Sequence, residues 1–214
     1  MILKLILSNF LIIVFGFHEV DCYGRVLNPV HRGSAWRKGI DAPVNYEDNM
    51  NNCGGYTELH EKNNGTCGPC GDDFANSVPR DNENGGKYGT GIIVKLYEMN
   101  QVIDIEVDLT ANLGGHFEFS ICDLYQLDTP YEYENCFKPL LLEDGRSKFE
   151  LPDASTVGIY TIKVQLPQNL VCVHCVLRWQ YVAANNWGIC PNGTGKLGCG
   201  PQEMFRTCSD ISVR

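Results

Sequence analysis

The chain has 214 residues, of which 43% are hydrophobic and 20% charged, and its formal net charge is −9. This composition excludes a disordered chain, a coiled coil and a collagen, and the acidic charge argues against a duplex nucleic-acid binder, which needs a basic face to displace counterions. The 22 glycines, 10 prolines and 11 cysteines predict a folded chain with long, cross-linked loops.

The first predicted element is a leader. A single cation precedes an apolar run that ends at Phe17, which is typical of a secretory signal peptide. We place this peptide at residues 1–22, so that the mature chain begins at Tyr23. A cut that starts the chain at His18 would put a bulky side chain beside the cleavage site, which is disfavoured. We therefore expect a secreted, extracellular protein, and no later apolar run is long enough for a membrane span.

Removal of residues 1–22 leaves ten cysteines, an even number that predicts five disulfides in an oxidising compartment. Two pairs have CxxC spacing, but the pairs lie too far apart for a zinc ribbon, and we interpret them as disulfide halves. Spacing does not determine which cysteines pair. The predicted disulfide cysteines are Cys53, Cys67, Cys70, Cys122, Cys136, Cys172, Cys175, Cys190, Cys199 and Cys208.

The segment from Tyr23 to Gly91 has little regular pattern and many Pro, Gly and Asn residues. A loop region of this length cannot bury enough apolar surface to offset its chain entropy, so we expect it to depend on cross-links. One N-glycosylation sequon lies here, at Asn64, and a second lies near the C-terminus, at Asn192. Both sit in glycine-rich stretches, where exposed loops are expected.

Strand patterns begin after Gly91. Alternation of apolar and polar residues predicts strands at 91–97, 102–110, 116–122, 147–151, 158–166 and 172–182. In the last of these, the odd-numbered residues from Val173 to Tyr181 are expected to share one face. Short antiparallel strands separated by turns predict an all-β sandwich with long, disulfide-stapled loops. Without a low-complexity linker or a repeat, we expect a single domain at 23–214.

Several longer strings are recognisable in order along the chain. They include Gly24-Arg-Val-Leu-Asn-Pro-Val-His-Arg-Gly-Ser-Ala-Trp-Arg37, Cys67-Gly-Pro-Cys-Gly-Asp72, Cys175-Val-Leu-Arg-Trp-Gln-Tyr181 and Leu197-Gly-Cys-Gly-Pro-Gln-Glu-Met-Phe-Arg-Thr-Cys-Ser-Asp-Ile211. On these strings the chain resembles the arthropod-type lytic polysaccharide monooxygenases, also described as chitin-binding type-4 domains. The resemblance covers essentially the whole mature chain.

This resemblance implies an immunoglobulin/fibronectin-like sandwich with a flat surface that lies on crystalline chitin or cellulose. It also implies one copper ion at the centre of that surface. In the family, the mature N-terminal His supplies its amine and imidazole, a second His supplies another nitrogen, and a Tyr or Phe takes the axial position. Three such nitrogens stabilise both copper oxidation states and leave positions open for the oxidant.

At both histidine positions the sequence departs from the family pattern. Tyr23 stands where the first copper ligand is expected, and the Thr-Ala-Asn string is followed by Leu113 instead of His. The axial position matches Phe205. A phenol does not replace an imidazole, and a hydrocarbon side chain does not bind metal. We therefore predict no copper and no other cofactor, although copper is the family's cofactor.

Two rescues of a metal site are open. His18 could become the N-terminus with His116 as its partner, or the remaining histidines could form another site. The spacing of His31, His60 and His174 resembles no zinc or copper motif, so we expect solvated or hydrogen-bonded side chains. The sequence holds no Gly-x-Ser-x-Gly elbow and no His-Glu-x-x-His motif, and we predict no catalytic residue.

The leading hypothesis is a secreted, monomeric domain that binds chitin or another insoluble polysaccharide without oxidative activity. The alternatives are an active copper-dependent monooxygenase with an atypical ligand set, and an interaction protein that reuses the scaffold. We predict substrate contacts at Tyr23, His116 and Phe205, with core packing as the other role open to Phe205. The three tryptophans, Trp36, Trp179 and Trp187, are assigned to structure.

Overall fold

Twelve strands are present in the computed structural model, which describes residues 24–152 and 154–214. The predicted signal peptide and Tyr23 lie outside the described residues. The strands are β1 (Gly24–Asn28), β2 (Lys95–Tyr97), β3 (Val102–Leu109), β4 (His116–Asp123), β5 (Lys138–Pro139), β6 (Leu141–Leu142), β7 (Phe149–Glu150), β8 (Gly158–Gln165), β9 (Cys172–Val182), β10 (Trp187–Ile189), β11 (Gly195–Leu197) and β12 (Met204–Val213).

Two sheets form a β-sandwich, as the strand pattern predicts. One sheet has the order β1-β3-β8-β6, and the other has the order β2-β12-β9-β4-β5, with β7 beside β4. Strands β10 and β11 pair with each other as a separate hairpin. The neighbours are antiparallel except for β2, which pairs with β12 in parallel.

The main core fills the space between the two sheets. Strand β3 alternates as predicted, since Ile103, Ile105 and Val107 are buried on its inner face. From the other sheet, Phe117 packs its ring against Trp179 at a centroid distance of 5.3 Å. Each large apolar side chain buried in this way contributes about 1.5–3 kcal/mol to folding.

At the start of β9 the predicted alternation fails. Cys172 and Cys175 form a disulfide and are both buried, whereas Val173 is 67% exposed. Residues three apart in a regular strand face opposite sides, so one strand cannot bury both sulfurs without a local irregularity. The register between β12 and β9 shifts here, between Ile211 and Val213. The prediction that Val173 shares one face with Cys175 was therefore wrong.

The sequence analysis did not find β12, although this strand lies inside its sheet, between β2 and β9. Its polar residues hide the apolar pattern, because several of them are buried with charged partners. Arg206 donates to the Glu134 carboxylate at 2.8 Å, and Asp210 accepts from Arg32 at 2.6 Å. Ion pairs of this kind let charged residues occupy a buried strand.

The ten predicted cysteines form five disulfides, which confirms the cysteine count. The pairs are Cys53–Cys67, Cys70–Cys208, Cys122–Cys136, Cys172–Cys175 and Cys190–Cys199. The two CxxC pairs behave differently. Cys172 and Cys175 bond to each other, whereas Cys67 and Cys70 bond to different partners. The Cys70–Cys208 bond ties the long N-terminal loop region to β12.

The helices are short. Residues Arg32–Lys38, Leu124–Gln126 and Glu134–Cys136 form 3₁₀ helices, and Glu58–Lys62 form a π-helical turn. Within the described ranges, no helix has the length and apolar character needed to cross a membrane.

Candidate functional site

Five strand termini meet at one end of the sandwich. Gly24 at the start of β1 pairs with Leu109 at the end of β3. His116 at the start of β4 pairs with Val182 at the end of β9, which in turn pairs with Met204 at the start of β12. The loops 110–115 and 183–203 leave the sheets from these residues. We call this part of the molecule the site end, because Leu113 and His116, two positions singled out by the sequence analysis, lie here.

Gly24 marks the place where the chain enters the site end. A Cβ on Gly24 would lie 2.8 Å from Cη2 of Trp179, so close packing against the core requires glycine here. Its backbone N–H donates to the carbonyl of Asn49 at 3.2 Å. Tyr23, the predicted substitute for the first copper ligand, lies outside the described residues.

Leu113, at which the sequence analysis expects the family's second histidine, is anchored to the core. Its backbone N–H donates to the Tyr181 hydroxyl at 2.9 Å, and that hydroxyl donates to the Gly114 carbonyl at 2.7 Å. The Ala184 N–H donates to the Leu113 carbonyl at 3.2 Å. The leucine side chain is partly buried and packs against the main core. This position therefore presents a hydrocarbon and no metal ligand.

Phe205 lies in the main core beside Tyr181. Its ring stacks on Tyr181 at a centroid distance of 5.7 Å, and the residue is 2% exposed. A ring with so little exposed surface has no face to offer to a sugar. Of the two roles that the sequence left open, the structure supports packing, and the predicted substrate contact at Phe205 does not fit its burial.

His116 lies on the other face of the same sheet. Phe117 points into the core, so its neighbours His116 and Glu118 point outward. The His116 Nε2 is 3.1 Å from the Glu118 carboxylate and 3.0 Å from Lys148 Nζ. The hydrogen bond from His116, supported by Lys148 and opposed by burial, lowers the pKa of Glu118 to about 2. The fold therefore places His116 and Phe205 on opposite faces.

His31 belongs to a buried network beside the chain start. Its Nε2 is 2.6 Å from the hydroxyl of Ser34, which donates to Asp48 at 2.5 Å. Arg25 and Arg37 also donate to the Asp48 carboxylate. Burial lowers the pKa of His31 to about 4. The network fixes the loop that contains Asp48 against β1. His31, Ser34 and Asp48 are themselves buried, so they act in packing and not in substrate contact.

The other two described histidines are also hydrogen-bonded, as predicted. The His60 Nε2 lies 2.8 Å from the Gln202 carbonyl, and the His174 Nε2 lies 2.7 Å from an Asp210 carboxylate oxygen. His18 falls outside the described residues.

One group among the described residues brings together three potential metal ligands, Cys70, Glu132 and Cys208. The two sulfurs form a disulfide, so neither is a thiolate able to bind metal. The Glu132 carboxylate is already paired with the Arg32 guanidinium and accepts from the backbone N–H of Asn84 at 3.3 Å. This group is a buried ion-pair network and its chemistry does not suit a metal.

The β10–β11 hairpin carries an exposed apolar face that the sequence analysis missed. Trp187 pairs with Leu197, and Ile189 pairs with Gly195, so all four lie on one side. Trp187 is 66% exposed, Ile189 58% and Leu197 61%. A Cβ on Gly195 would overlap Cζ2 of the indole and lie 2.8 Å from its Cη2, so the ring lies across this glycine. We call this surface the hairpin platform.

Trp187 was therefore wrongly assigned to the structural tryptophans. Trp179 is buried in the core as predicted, and Trp36 is half-buried with its Nε1 donating to the Asn45 carbonyl at 3.1 Å. The sequence does contain a signal for an exposed Trp187. Trp187 and Ile189 alternate inside a stretch rich in Asn and Gly, and this stretch has too few apolar residues to build a core of its own.

The hairpin is held at the site end by its root. The Gln202 side chain is buried and donates to the carbonyls of Asn186 at 3.0 Å and Cys199 at 2.9 Å. The Cys190–Cys199 disulfide closes the loop above this root. Ala184, two residues before Asn186, is the residue whose N–H donates to Leu113. The hairpin platform therefore extends from the segment that adjoins Leu113.

Residues 23–211 match the family described as "Lytic polysaccharide mono-oxygenase, cellulose-degrading". The chain is 39% identical to an AA15 lytic polysaccharide monooxygenase from Thermobia domestica in the Cu(I) state, with a TM-score of 0.85 over 89% of this chain and 98% of that chain. A chitin binding domain from Burkholderia pseudomallei is 16% identical, with a TM-score of 0.50 over 90% of this chain and 100% of that chain, and shows likeness of fold alone. A search of curated proteins gave no match. The family match and the 39% identity show that this chain belongs to the lytic polysaccharide monooxygenase family and has its immunoglobulin-like sandwich fold.

Proposed function

We propose that this protein is a secreted, monomeric member of the family that binds chitin or another insoluble polysaccharide and lacks the copper site. The observation that carries the proposal is the combination of a leucine at the position of the second histidine with an exposed aromatic platform beside it. Secretion would follow from the predicted signal peptide at residues 1–22.

The donor set argues against copper. A brace needs three nitrogen ligands in a T shape, and Leu113 supplies none because its side chain packs on the core. The Tyr181 hydroxyl beside Leu113 is engaged by the backbone at Leu113 and Gly114. With Tyr23 at the other ligand position, the two substitutions remove both imidazoles that the family uses. We therefore propose no oxidative step.

The hairpin platform supports polysaccharide binding. An exposed apolar patch with a polar rim marks a site of interaction, and an indole ring offers a broad apolar face for the C–H face of a pyranose. Near the root, the Asn185 side chain donates to the Glu203 carboxylate at 3.0 Å, which places polar groups beside the apolar surface. This arrangement suits a neutral sugar chain better than an anionic polymer, because the protein itself is acidic.

A sedimentation assay on insoluble chitin and cellulose tests this proposal. We expect Trp187→Ala to weaken binding at least fivefold, because it removes the largest ring of the platform. Tyr125→Ala is the matched control, since Tyr125 is 75% exposed but lies at the opposite end of β4. Equal binding by the two variants would refute the role of the hairpin platform. Failure of the unaltered protein to bind either polymer would favour the interaction-protein alternative.

Calorimetric titration of copper into the secreted, N-terminally sequenced protein tests the absence of the brace. We expect no tight one-to-one binding. A tight site would overturn the proposal and favour the monooxygenase with an atypical ligand set. If the protein that binds copper tightly also begins at His18, that histidine would be assigned as a copper ligand.

A further inference from the structure

A second concave surface lies at the end of the sandwich opposite the site end. It is a cavity of about 550 Å³ between the end of β4 and the loop that follows β8. Strand β4 runs from His116 at the site end to Asp123 at the cavity, which separates the two by roughly 23 Å. No part of the proposed polysaccharide surface reaches it, so it is a separate feature. We call it the end pocket.

The floor of the end pocket is apolar and draws on both sheets. Ile121 comes from β4 and is part of the main core, and Leu170 from the loop after β8 packs against the same core. Leu127 contributes from the loop beside the Cys122–Cys136 disulfide. Tyr133 adds an exposed aromatic ring at the wall. A concave apolar surface with one aromatic ring is typical of small-molecule sites.

The rim of the end pocket is polar and largely uncharged. Gln126, Asn135 and Asn169 line it, and their side-chain amides make no hydrogen bond to any described residue. Each amide offers two donors and an acceptor. Lys138 and Asp123 also line the pocket, so its one cation is matched by one anion.

We propose that the end pocket binds a neutral pyranose sugar, as a monosaccharide or a disaccharide. A sugar ring has an apolar C–H face for Tyr133 and the floor, and hydroxyl groups around its edge for the three amides. A fatty acid or other anionic amphiphile fits less well, because the pocket has no net positive charge for its head group and the amides would lose their hydration without a partner. The site is independent of the hairpin platform.

The test is a titration of the full mature chain with cellobiose and with the disaccharide of N-acetylglucosamine, followed by protein-observed NMR. We expect saturable shifts at the end-pocket residues. Tyr133→Ala should weaken the affinity at least fivefold, and Asn169→Ala should weaken it about threefold. Both residues are exposed, so the fold should survive, and an unchanged melting temperature would verify this. Tyr125→Ala is the control, because Tyr125 is on the neighbouring 3₁₀ helix but does not line the pocket.

The outcomes separate this site from the proposed polysaccharide surface. Loss of disaccharide binding in Trp187→Ala with full binding in Tyr133→Ala would move the sugar to the hairpin platform and overturn the end pocket. Absence of saturable shifts with either disaccharide would also overturn it, as would tighter binding of decanoate than of both sugars. Normal sedimentation of Tyr133→Ala on chitin, together with weakened disaccharide binding, would support two distinct sites.

Discussion

Leu113 is the described residue on which the copper question depends. Its side chain packs on the core, and its backbone is held by hydrogen bonds to Tyr181 and Ala184. The surrounding contacts fix the backbone at position 113, so a histidine placed there would have a defined backbone position. This makes the ligand position testable by substitution, independently of the rest of the surface.

We expect the double change Tyr23→His with Leu113→His to create copper binding, since it supplies both imidazoles that the family pattern requires. Titration calorimetry with Cu(II) measures the gain, and the single change Leu113→His is the control, with a much weaker site. A correctly cleaved and folded double variant without increased copper affinity would show that the position of the brace is misassigned.

Because His31 is buried, we expect the stability of the folded protein to depend on pH. Burial lowers its pKa from 6.5 to about 4, so the fold favours the neutral ring. As the pH falls below 6.5, the unfolded chain takes up a proton that the folded chain does not. This contribution to stability is therefore present above pH 6.5 and decreases by roughly 3 kcal/mol as the pH falls to 4.

Asp72 opposes this effect. Burial raises the pKa of its carboxyl to about 6, so the folded protein favours the protonated form. The contribution of Asp72 to stability is therefore lost as the pH rises through 6. The dependence of stability on pH is therefore the difference between the His31 and Asp72 contributions. A melting curve alone does not separate the two groups. NMR titration of the His31 ring does so. We expect a pKa near 4, and a value near 6.5 would contradict the buried network.

At the scale of elements, the β10–β11 hairpin shows how a glycine can shape a binding surface. The indole of Trp187 lies over Gly195 because any side chain there would occupy the same space. Gln202 and the Cys190–Cys199 disulfide fix the hairpin root, so the platform does not depend on packing against the core.

We expect Gly195→Ala to displace the Trp187 ring and to weaken polysaccharide binding severalfold, although the hairpin itself still forms. Lys196→Ala is the matched control, because Lys196 is exposed on the same strand and its side chain points to the other face. Sedimentation on chitin and tryptophan fluorescence measure the effect. Unchanged binding by Gly195→Ala would mean that the ring position is not important.

At the scale of the whole molecule, one disulfide, Cys70–Cys208, joins the long N-terminal loop region to the sandwich. Cys70 and Cys208 are 138 residues apart, and their bond closes a loop that spans most of the described chain. Arg32 adds a buried ion pair with Asp210 on the same strand, β12. The loop region is therefore attached to an interior strand, most of whose residues are already buried.

Replacement of Cys70 and Cys208 by serine should destabilise the protein more than replacement of Cys172 and Cys175, whose bond spans three residues. Loop entropy predicts a loss of about 5 kcal/mol for the long loop and about 2 kcal/mol for the short one. Urea unfolding of both double variants measures the difference. Equal losses would show that chain entropy is not the main contribution of the longer bond.

From the sequence, the family, the sandwich and the count of disulfides could be predicted. The family is carried by strings that lie within the chain itself, and strands such as β3 reveal themselves by local alternation of side chains. Strand β12 could not be found in this way, because Arg206 and Asp210 are buried by partners that lie far away in sequence.

The tertiary structure determines which side chains lie together and are exposed at the candidate site. Whether Trp187 is core or surface depends on what packs against its hairpin, which no local pattern contains. His116 and Phe205 are separated by the sheet because one faces outward and the other inward, and that follows from the register of β4, β9 and β12. The sequence by itself determined which side chains are available, including a leucine at position 113. The fold determined which of them meet, since their distances depend on contacts between residues remote in the chain.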